Sequence, residues 1–161
     1  TITGEDSAGW KVHMVCSRSQ VFIGVGKRFF RWYRGELSGI ELPSAVIDLA
    51  ATPNTTLSRI AIGMEGGAAI AWGEPQWDQF ELIGGRGLEN VRVGFTRGNH
   101  LVLAANGRVE AYSVGKSATI LQSSLELPDL QGSLCVAPLP DSNAFEIVTE
   151  KGVISFRLNR T

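Results

Sequence analysis

The sequence contains very little cysteine. Cys16 and Cys135 are its only two cysteines among 161 residues. Two such distant residues are too few for a disulfide framework, and their spacing matches no metal-binding motif. We expect both to be free thiols buried in the core, because free cysteine is among the most buried residue types.

An excess of charge of either sign is also missing. The chain has 15 Lys and Arg residues against 16 Asp and Glu residues, so its formal net charge is −1. This balance favours neither nucleic acid nor an acidic surface as partner. No apolar run reaches the roughly 18 residues of a membrane span, and no signal peptide is recognisable. We therefore expect a cytoplasmic protein without a membrane span.

Motifs of the common enzyme and cofactor sites are absent. There is no His-Glu-x-x-His, Cys-x-x-Cys or Gly-x-Ser-x-Gly, and the lysine of "GVGKRF" (24–29) lacks the Ser or Thr of a phosphate loop. His13 and His100 lie in different units of the chain, and Asp48 has no acid or base partner nearby in sequence. We expect structural roles for His13 and Asp48, no catalytic residue, no metal site and no cofactor.

What the sequence does contain is an internal repeat. Short apolar runs recur in the same order four times, and the aromatic residue that closes one run in each unit recurs every 40 to 44 residues. A tag of the form apolar-Glu follows in "GIELP", "QFELI" and "SLELP". The closing aromatic residues are Trp32, Trp72, Tyr112 and Phe156.

This repeat predicts an all-β fold. The runs are rich in Val, Ile and aromatic residues, glycine lies in the turns between them, and no segment shows a helical period. A unit of about 40 residues with four antiparallel strands is typical of one β-propeller blade. We predict four consecutive blades at about 10–43, 44–84, 89–128 and 132–161 behind an N-terminal segment 1–9, with the closing aromatic residues as wedges between blades.

The second unit, "VIDLAATPNTTLSRIAIGMEGGAAIAW", resembles a WD-type propeller repeat. It has an inner strand, a loop with a proline, a second strand, a glycine turn and a strand that closes in Trp. The Asp that follows this Trp in the family is absent, because Gly73 follows Trp72 and Tyr33 follows Trp32. The resemblance implies a WD-repeat-like β-propeller without the polar network typical of that family. The third unit also resembles propeller repeats of the chromosome-condensation regulator type.

The last blade lacks its outer strand, since the sequence closes with "VISFRLNRT". An unfinished sheet leaves a row of unpaired backbone groups that proteins normally cover. Three sources of the missing strand are open: the N-terminal "TIT" (1–3), a second chain, or a longer propeller of which this chain is one part. We expect a partial propeller completed by another segment or chain.

Two regions are candidate interaction sites. The stretch "KRFFRWYR" (27–34) alternates cations, including Arg28 and Arg31, with aromatic residues, as in proteins that bind single-stranded nucleic acid. Trp77 lies in a polar loop near Arg86 and Arg97 in sequence, and Trp and Arg dominate interaction hot spots.

These observations favour a non-catalytic protein–protein interaction platform within a larger assembly. Its partner would be a protein that supplies the missing outer strand. One alternative is a small-ligand or enzymatic domain that uses the channel mouth near His13 and Asp48. A second alternative is weak nucleic-acid binding through Lys27–Arg34, which the net charge of −1 makes unfavourable.

Overall fold

The structure is a computed structural model that describes residues 2–5, 11–53, 57–73 and 79–159, with the backbone alone at 2–5 and at 85 and 86. Every regular element in this part of the chain is a β-strand, so the all-β prediction is confirmed. The strands are β1 Ile2–Glu5, β2 Lys11–Ser17, β3 Gln20–Val25, β4 Arg28–Tyr33, β5 Glu36–Glu41, β6 Val46–Ala51, β7 Ile60–Met64, β8 Gly66–Trp72, β9 Gln79–Leu88, β10 Arg92–Phe95, β11 Leu101–Ala105, β12 Arg108–Val114, β13 Thr119–Glu126, β14 Ser133–Pro138, β15 Ala144–Thr149 and β16 Gly152–Arg157.

The strands form four antiparallel sheets that follow one another along the chain. The first sheet contains β1 to β5, the second β6 to β9, the third β10 to β13 and the fourth β14 to β16. Within each sheet every strand pairs with its neighbour in sequence. The predicted succession of antiparallel sheets, with an incomplete last sheet, is therefore confirmed, although the first sheet has five strands where four were predicted.

Tight hairpins set the register inside each sheet. Val25 pairs with Arg28 across the turn at Gly26, and Ala105 pairs with Arg108 across the turn at Gly107. Both glycines have positive φ, 54° and 79°, a conformation that costs other residues more than it costs glycine. Each of these hairpins fixes the residue at which the next strand begins. Equivalent positions in different sheets can therefore be identified by counting residues from the hairpin.

The sheets stack face against face in chain order. The inner strand of each sheet, β2, β6, β10 or β14, contacts the inner strand of the next. One apolar cluster fills each of the three junctions. Strands β7 and β11 are buried along their whole length, because the second and third sheets are covered on both faces. The approach is close enough that a Cβ on Gly94 would lie 2.8 Å from Val136 Cβ.

The N-terminal segment does not complete the fourth sheet. Strand β1 pairs with β2, with Ile2 opposite Met14 and Glu5 opposite Lys11. The alternative in which residues 1–3 supply the missing outer strand is therefore wrong. Strand β1 instead extends the inner edge of the first sheet, where β2 has backbone groups available for pairing.

The two cysteines are free, but the expectation that they are buried is wrong. Both Cys16 and Cys135 are exposed. Cys16 lies in a row with Val21 and Trp32 on the outward face of the first sheet. Cys135 pairs with Val148 on the outward face of the fourth sheet. Each thiol belongs to a terminal sheet that has a neighbour on one side alone in the described part of the chain.

Burial between sheets should dominate the stability of the fold. Ile62 is 0% exposed, whereas Leu82 lies in the same row of the second sheet and is 55% exposed. We expect Ile62→Ala to lower the free energy of unfolding by about 2–5 kcal/mol. The matched change Leu82→Ala should cost about 0.5 kcal/mol or less. Urea unfolding measures both values, and equal losses would contradict the stacked arrangement.

Candidate functional site

A central cleft is the natural place for a ligand in this architecture. The inner strands of all four sheets border a cleft of about 380 Å³. Residues from β2, β6, β10 and β14 line it, among them His13, Asp48, Arg92 and Cys135. A second cleft of about 280 Å³ shares His13 and Arg92 and adds Lys11 and Glu65. Two of the cleft's polar residues, His13 and Asp48, could be recognised as candidates from the sequence, whereas Arg92 could not.

Asp48 uses its carboxylate to join two sheets. Its Oδ1 accepts a hydrogen bond from the backbone N–H of Leu49 at 3.0 Å. Its Oδ2 accepts one from the backbone N–H of Val93, in the third sheet, at 3.0 Å. Burial raises the pKa of Asp48 above its ordinary value, while the hydrogen bond from Val93 and the charge of Arg92 oppose this shift. Both oxygens therefore already accept backbone hydrogen bonds, and the one at Oδ2 joins the second sheet to the third.

Arg92 links three sheets through backbone carbonyls. Its Nη1 donates to Ile47 O in the second sheet at 2.9 Å, and its Nε donates to Ser133 O in the fourth sheet at 3.1 Å. Asn90 Nδ2 also donates to Ser133 O, at 2.9 Å. A half-buried guanidinium that donates to carbonyl groups of two other sheets fixes the spacing of the inner strands.

His13 is nearly fully buried, at 5% exposed, and its Nδ1 has no hydrogen-bond partner. Burial lowers the pKa of His13, and the positive charges of Arg92 and Lys11 lower it further. The imidazole is therefore held neutral by its surroundings.

This set of groups does not form an acid–base pair. The carboxylate of Asp48 accepts backbone hydrogen bonds, and Arg92 donates to carbonyls, so neither is free to exchange a proton with His13. Among the described residues no group of three or more His, Cys, Asp or Glu side chains is arranged to hold a metal ion. Asp48 and Arg92 instead connect neighbouring sheets.

The basic and aromatic run at 27–34 is divided between the two faces of the first sheet. Arg28 lies in the row of Val25 and Glu41, on the outward face with Trp32. Arg31 lies opposite Phe22, on the face that packs against the second sheet. Because strand residues alternate between faces, the cations and aromatic residues do not form one continuous stripe. Arg31 and Arg34 instead flank the Tyr33 ring, with guanidinium carbons 5.8 and 5.0 Å from its centroid.

The second candidate region is described in part. Arg97 is exposed in the loop between β10 and β11. Trp77 lies outside the described residues, and so does the side chain of Arg86, whose backbone belongs to β9. A hot spot formed by these three residues remains a sequence-based prediction.

The four closing aromatic residues do not occupy four equivalent positions. Counted from the hairpins, Trp32, Tyr112 and Phe156 are equivalent, and Ala71 takes this position in the second sheet. Trp72 follows one residue later, so its side chain starts from the opposite face, and it contacts the clusters on both sides of its sheet. Tyr112 is buried at 5% exposed, whereas Trp32 is 44% exposed.

Two polar arrangements at the junction between the second and third sheets were missed from the sequence. Arg59 donates to Gly115 O at 3.1 Å and Lys116 O at 3.0 Å, and its guanidinium lies 5.5 Å from the centroid of the Trp72 ring. The Tyr112 hydroxyl donates to Glu110 Oε2 at 2.6 Å, and burial raises the pKa of Tyr112. No sequence motif marks the contacts of Arg59, because it binds carbonyl groups more than 50 residues away.

The edge of β16 is a second candidate site. The amide of Leu158 donates to Asn143 O at 2.7 Å, so Leu158 points its backbone groups towards β15. By the alternation of an antiparallel ladder, Val153, Ser155 and Arg157 point theirs away from β15. No strand in the described part of the chain pairs with β16 on that side. The first three sheets carry an outer strand at this place.

Comparisons with known proteins show the fold. No protein-family profile matches the sequence, and no curated protein matches it. Among solved structures, the chain is similar to BBS1N, a β-propeller domain solved in complex with ARL6DN, with a TM-score of 0.57 and 17% identity. The alignment covers 88% of this chain and 48% of BBS1N, so the chain spans about half of that protein. A β-propeller fold is thereby shown, whereas no family match supports the WD-repeat resemblance.

The structure was also inspected for membrane-spanning helices. In the part of the chain that the structure describes, there is no helix with the length and apolar character needed to cross a bilayer.

Replacing Asp48 should change how stability depends on pH. The folded-state pKa of Asp48 is raised above the ordinary value of 3.8, so its contribution is fully present below that pH and is lost as pH rises through the folded-state pKa. Asn does not titrate. We therefore expect the free energy of unfolding of the unmodified chain, minus that of Asp48→Asn, to decrease from pH 3.8 upwards. Urea unfolding at several pH values, with exposed Asp129→Asn as control, tests this, and a difference that grows with pH would contradict it.

Proposed function

We propose that this chain is a non-catalytic protein–protein interaction module, a partial β-propeller whose fourth sheet is completed by a strand from another segment or chain. The observation that carries this proposal is the outer edge of β16, where Val153, Ser155 and Arg157 present their backbone groups without a partner strand in the described part of the chain. A strand edge of this kind binds an extended peptide through main-chain hydrogen bonds.

The side chains around this edge support strand capture. Val153 is 56% exposed and Ile154 is 41% exposed, and they lie on opposite faces of the same strand. An added strand could therefore cover apolar surface on both faces while it pairs with the backbone. In the third sheet, β13 does this for β12, with Leu125 opposite Val109 and Leu121 opposite Tyr112.

The central cleft supports the non-catalytic part of the proposal. Asp48 and Arg92 are engaged by backbone groups of neighbouring sheets, so they stabilise the stacking of the sheets. Sheets held rigidly together present the short loops between their strands in fixed positions, and a protein partner can bind to such a surface. The similar protein BBS1N was itself solved in a complex with another protein, ARL6DN.

Strand capture can be tested by tethering. The sequence of β13, residues 119–126, is appended to the chain through a flexible linker, which raises its effective concentration to the millimolar range. We expect the free energy of unfolding to rise by at least about 1 kcal/mol. The amides of Val153, Ser155 and Arg157 should become protected from hydrogen exchange.

Ser155→Pro is the matched control for this test. The amide of Ser155 points away from β15, so proline removes a donor to the added strand and leaves the pairing between β15 and β16 intact. The tethered Ser155→Pro chain should show neither the gain in stability nor the protection. A tether without any effect, or one that works equally well with Ser155→Pro, would contradict strand capture at this edge.

A further inference from the structure

The outward face of the first sheet is a continuous apolar surface, which we term the open face. It is the face turned away from the second sheet, and the register of β2 to β5 defines it. In the described part of the chain, no other sheet packs against it. Its apolar members are Val12, Met14, Cys16, Val21, Ile23, Val25, Phe30, Trp32 and Leu37.

The third sheet contains a face of the same design. In the first sheet Arg28 begins β4 and pairs with Glu41 in the outer strand. In the third sheet Arg108 begins β12 and pairs with Glu126 in the outer strand. The two hairpins therefore provide a common origin for comparing the two sheets position by position.

Counting from these hairpins gives side chains of similar size and character at corresponding positions. The corresponding pairs are Trp32 with Tyr112, Val21 with Leu101, and Ile23 with Leu103. In the third sheet these residues are buried against the second sheet. In the first sheet the open face carries the same pattern, but Trp32 remains 44% exposed. The open face is thus one half of a sheet–sheet junction.

The junction between the second and third sheets shows which residues a sheet needs in order to pack against the open face. The second sheet meets Tyr112 and Leu103 with a face that combines Ile70 and Ile83 with small residues. A Cβ on Gly84 would lie 2.8 Å from Leu103 Cδ1 and 3.7 Å from the Tyr112 hydroxyl, and Ala61 and Ala68 belong to the same apolar cluster. Glycine and alanine between these isoleucines leave room for the large residues of the third sheet, which keeps the junction densely packed.

We infer that the open face binds a further propeller sheet whose contacting face carries alanine and glycine opposite Trp32 and Ile23. This contact lies at the other end of the molecule from β16. It extends the proposed partial propeller without depending on strand capture. The partner sheet needs no polar group opposite Phe30, which takes the position of Glu110, the residue that binds the Tyr112 hydroxyl in the third sheet.

The fourth sheet of a second copy of this chain does not meet this requirement. Counted from its hairpin, Glu146 takes the position that Ala61 has in the second sheet. Stacking that face on the open face would bury the Glu146 carboxylate against apolar residues. An unpaired buried carboxylate is strongly unfavourable. The chemistry of the open face therefore favours a sheet with small apolar residues over self-association.

The native thiol of Cys16 provides a probe of this face. Cys135→Ser leaves Cys16 as the only cysteine. A copy of residues 46–88, which carries Ala61, Ala68 and Gly84, is fused ahead of the full chain. We expect the added sheet to cover the open face and to slow the reaction of Cys16 with a thiol reagent by about tenfold or more, with light scattering showing a monomer.

The matched control carries Ala61→Glu and Ala68→Glu in the added copy alone, and Cys16 should then react as fast as in the unfused chain. Unchanged reactivity in the first fusion would overturn the inference. So would protection of Cys16 in the unfused chain together with a dimeric mass, since a second copy would then be the occupant. The tethered strand at β16 leaves Cys16 untouched, so failure of strand capture and failure of this contact are told apart.

Discussion

Face-to-face packing of the sheets is the interaction on which the rest of the structure depends. A strand whose residues are apolar on both sides, such as β7 or β11, is stable in water when a sheet covers each side. The second and third sheets obtain both neighbours within the chain. The first and fourth sheets obtain one each in the described part of the chain, and the exposed apolar residues Trp32 and Val153 mark the faces that lack a neighbour.

Much of this fold could be predicted from the sequence, because strand length, turn chemistry and the period of about 40 residues are all local signals. The face of the sheet to which a given side chain points could not be predicted from these local signals. Trp72 matches the period but lies one residue past the position equivalent to Trp32, and a shift of one residue reverses the face of a strand. The residue type of Cys16 and Cys135 predicts burial in the core, but both are exposed, because each lies on a terminal sheet with one face uncovered in the described part of the chain.

The candidate site was less predictable than the fold. His13 and Asp48 could be placed on inner strands from the repeat, but Arg92 and Arg59 could not be recognised. Both arginines bind backbone carbonyl groups of other sheets, and a carbonyl has no residue identity for a motif to detect. Their role follows from burial: a charge between sheets is tolerated when several acceptors surround it.

Strand β1 breaks the equivalence of the four inner strands. It pairs with the inner edge of β2, whereas β6, β10 and β14 form the inner edges of their own sheets. The first sheet therefore reaches one strand spacing, about 4.8 Å, further towards the axis than the others. In the first sheet the inner edge that is open to main-chain pairing therefore belongs to β1, whereas in the other three sheets it belongs to the strand that lines the central cleft.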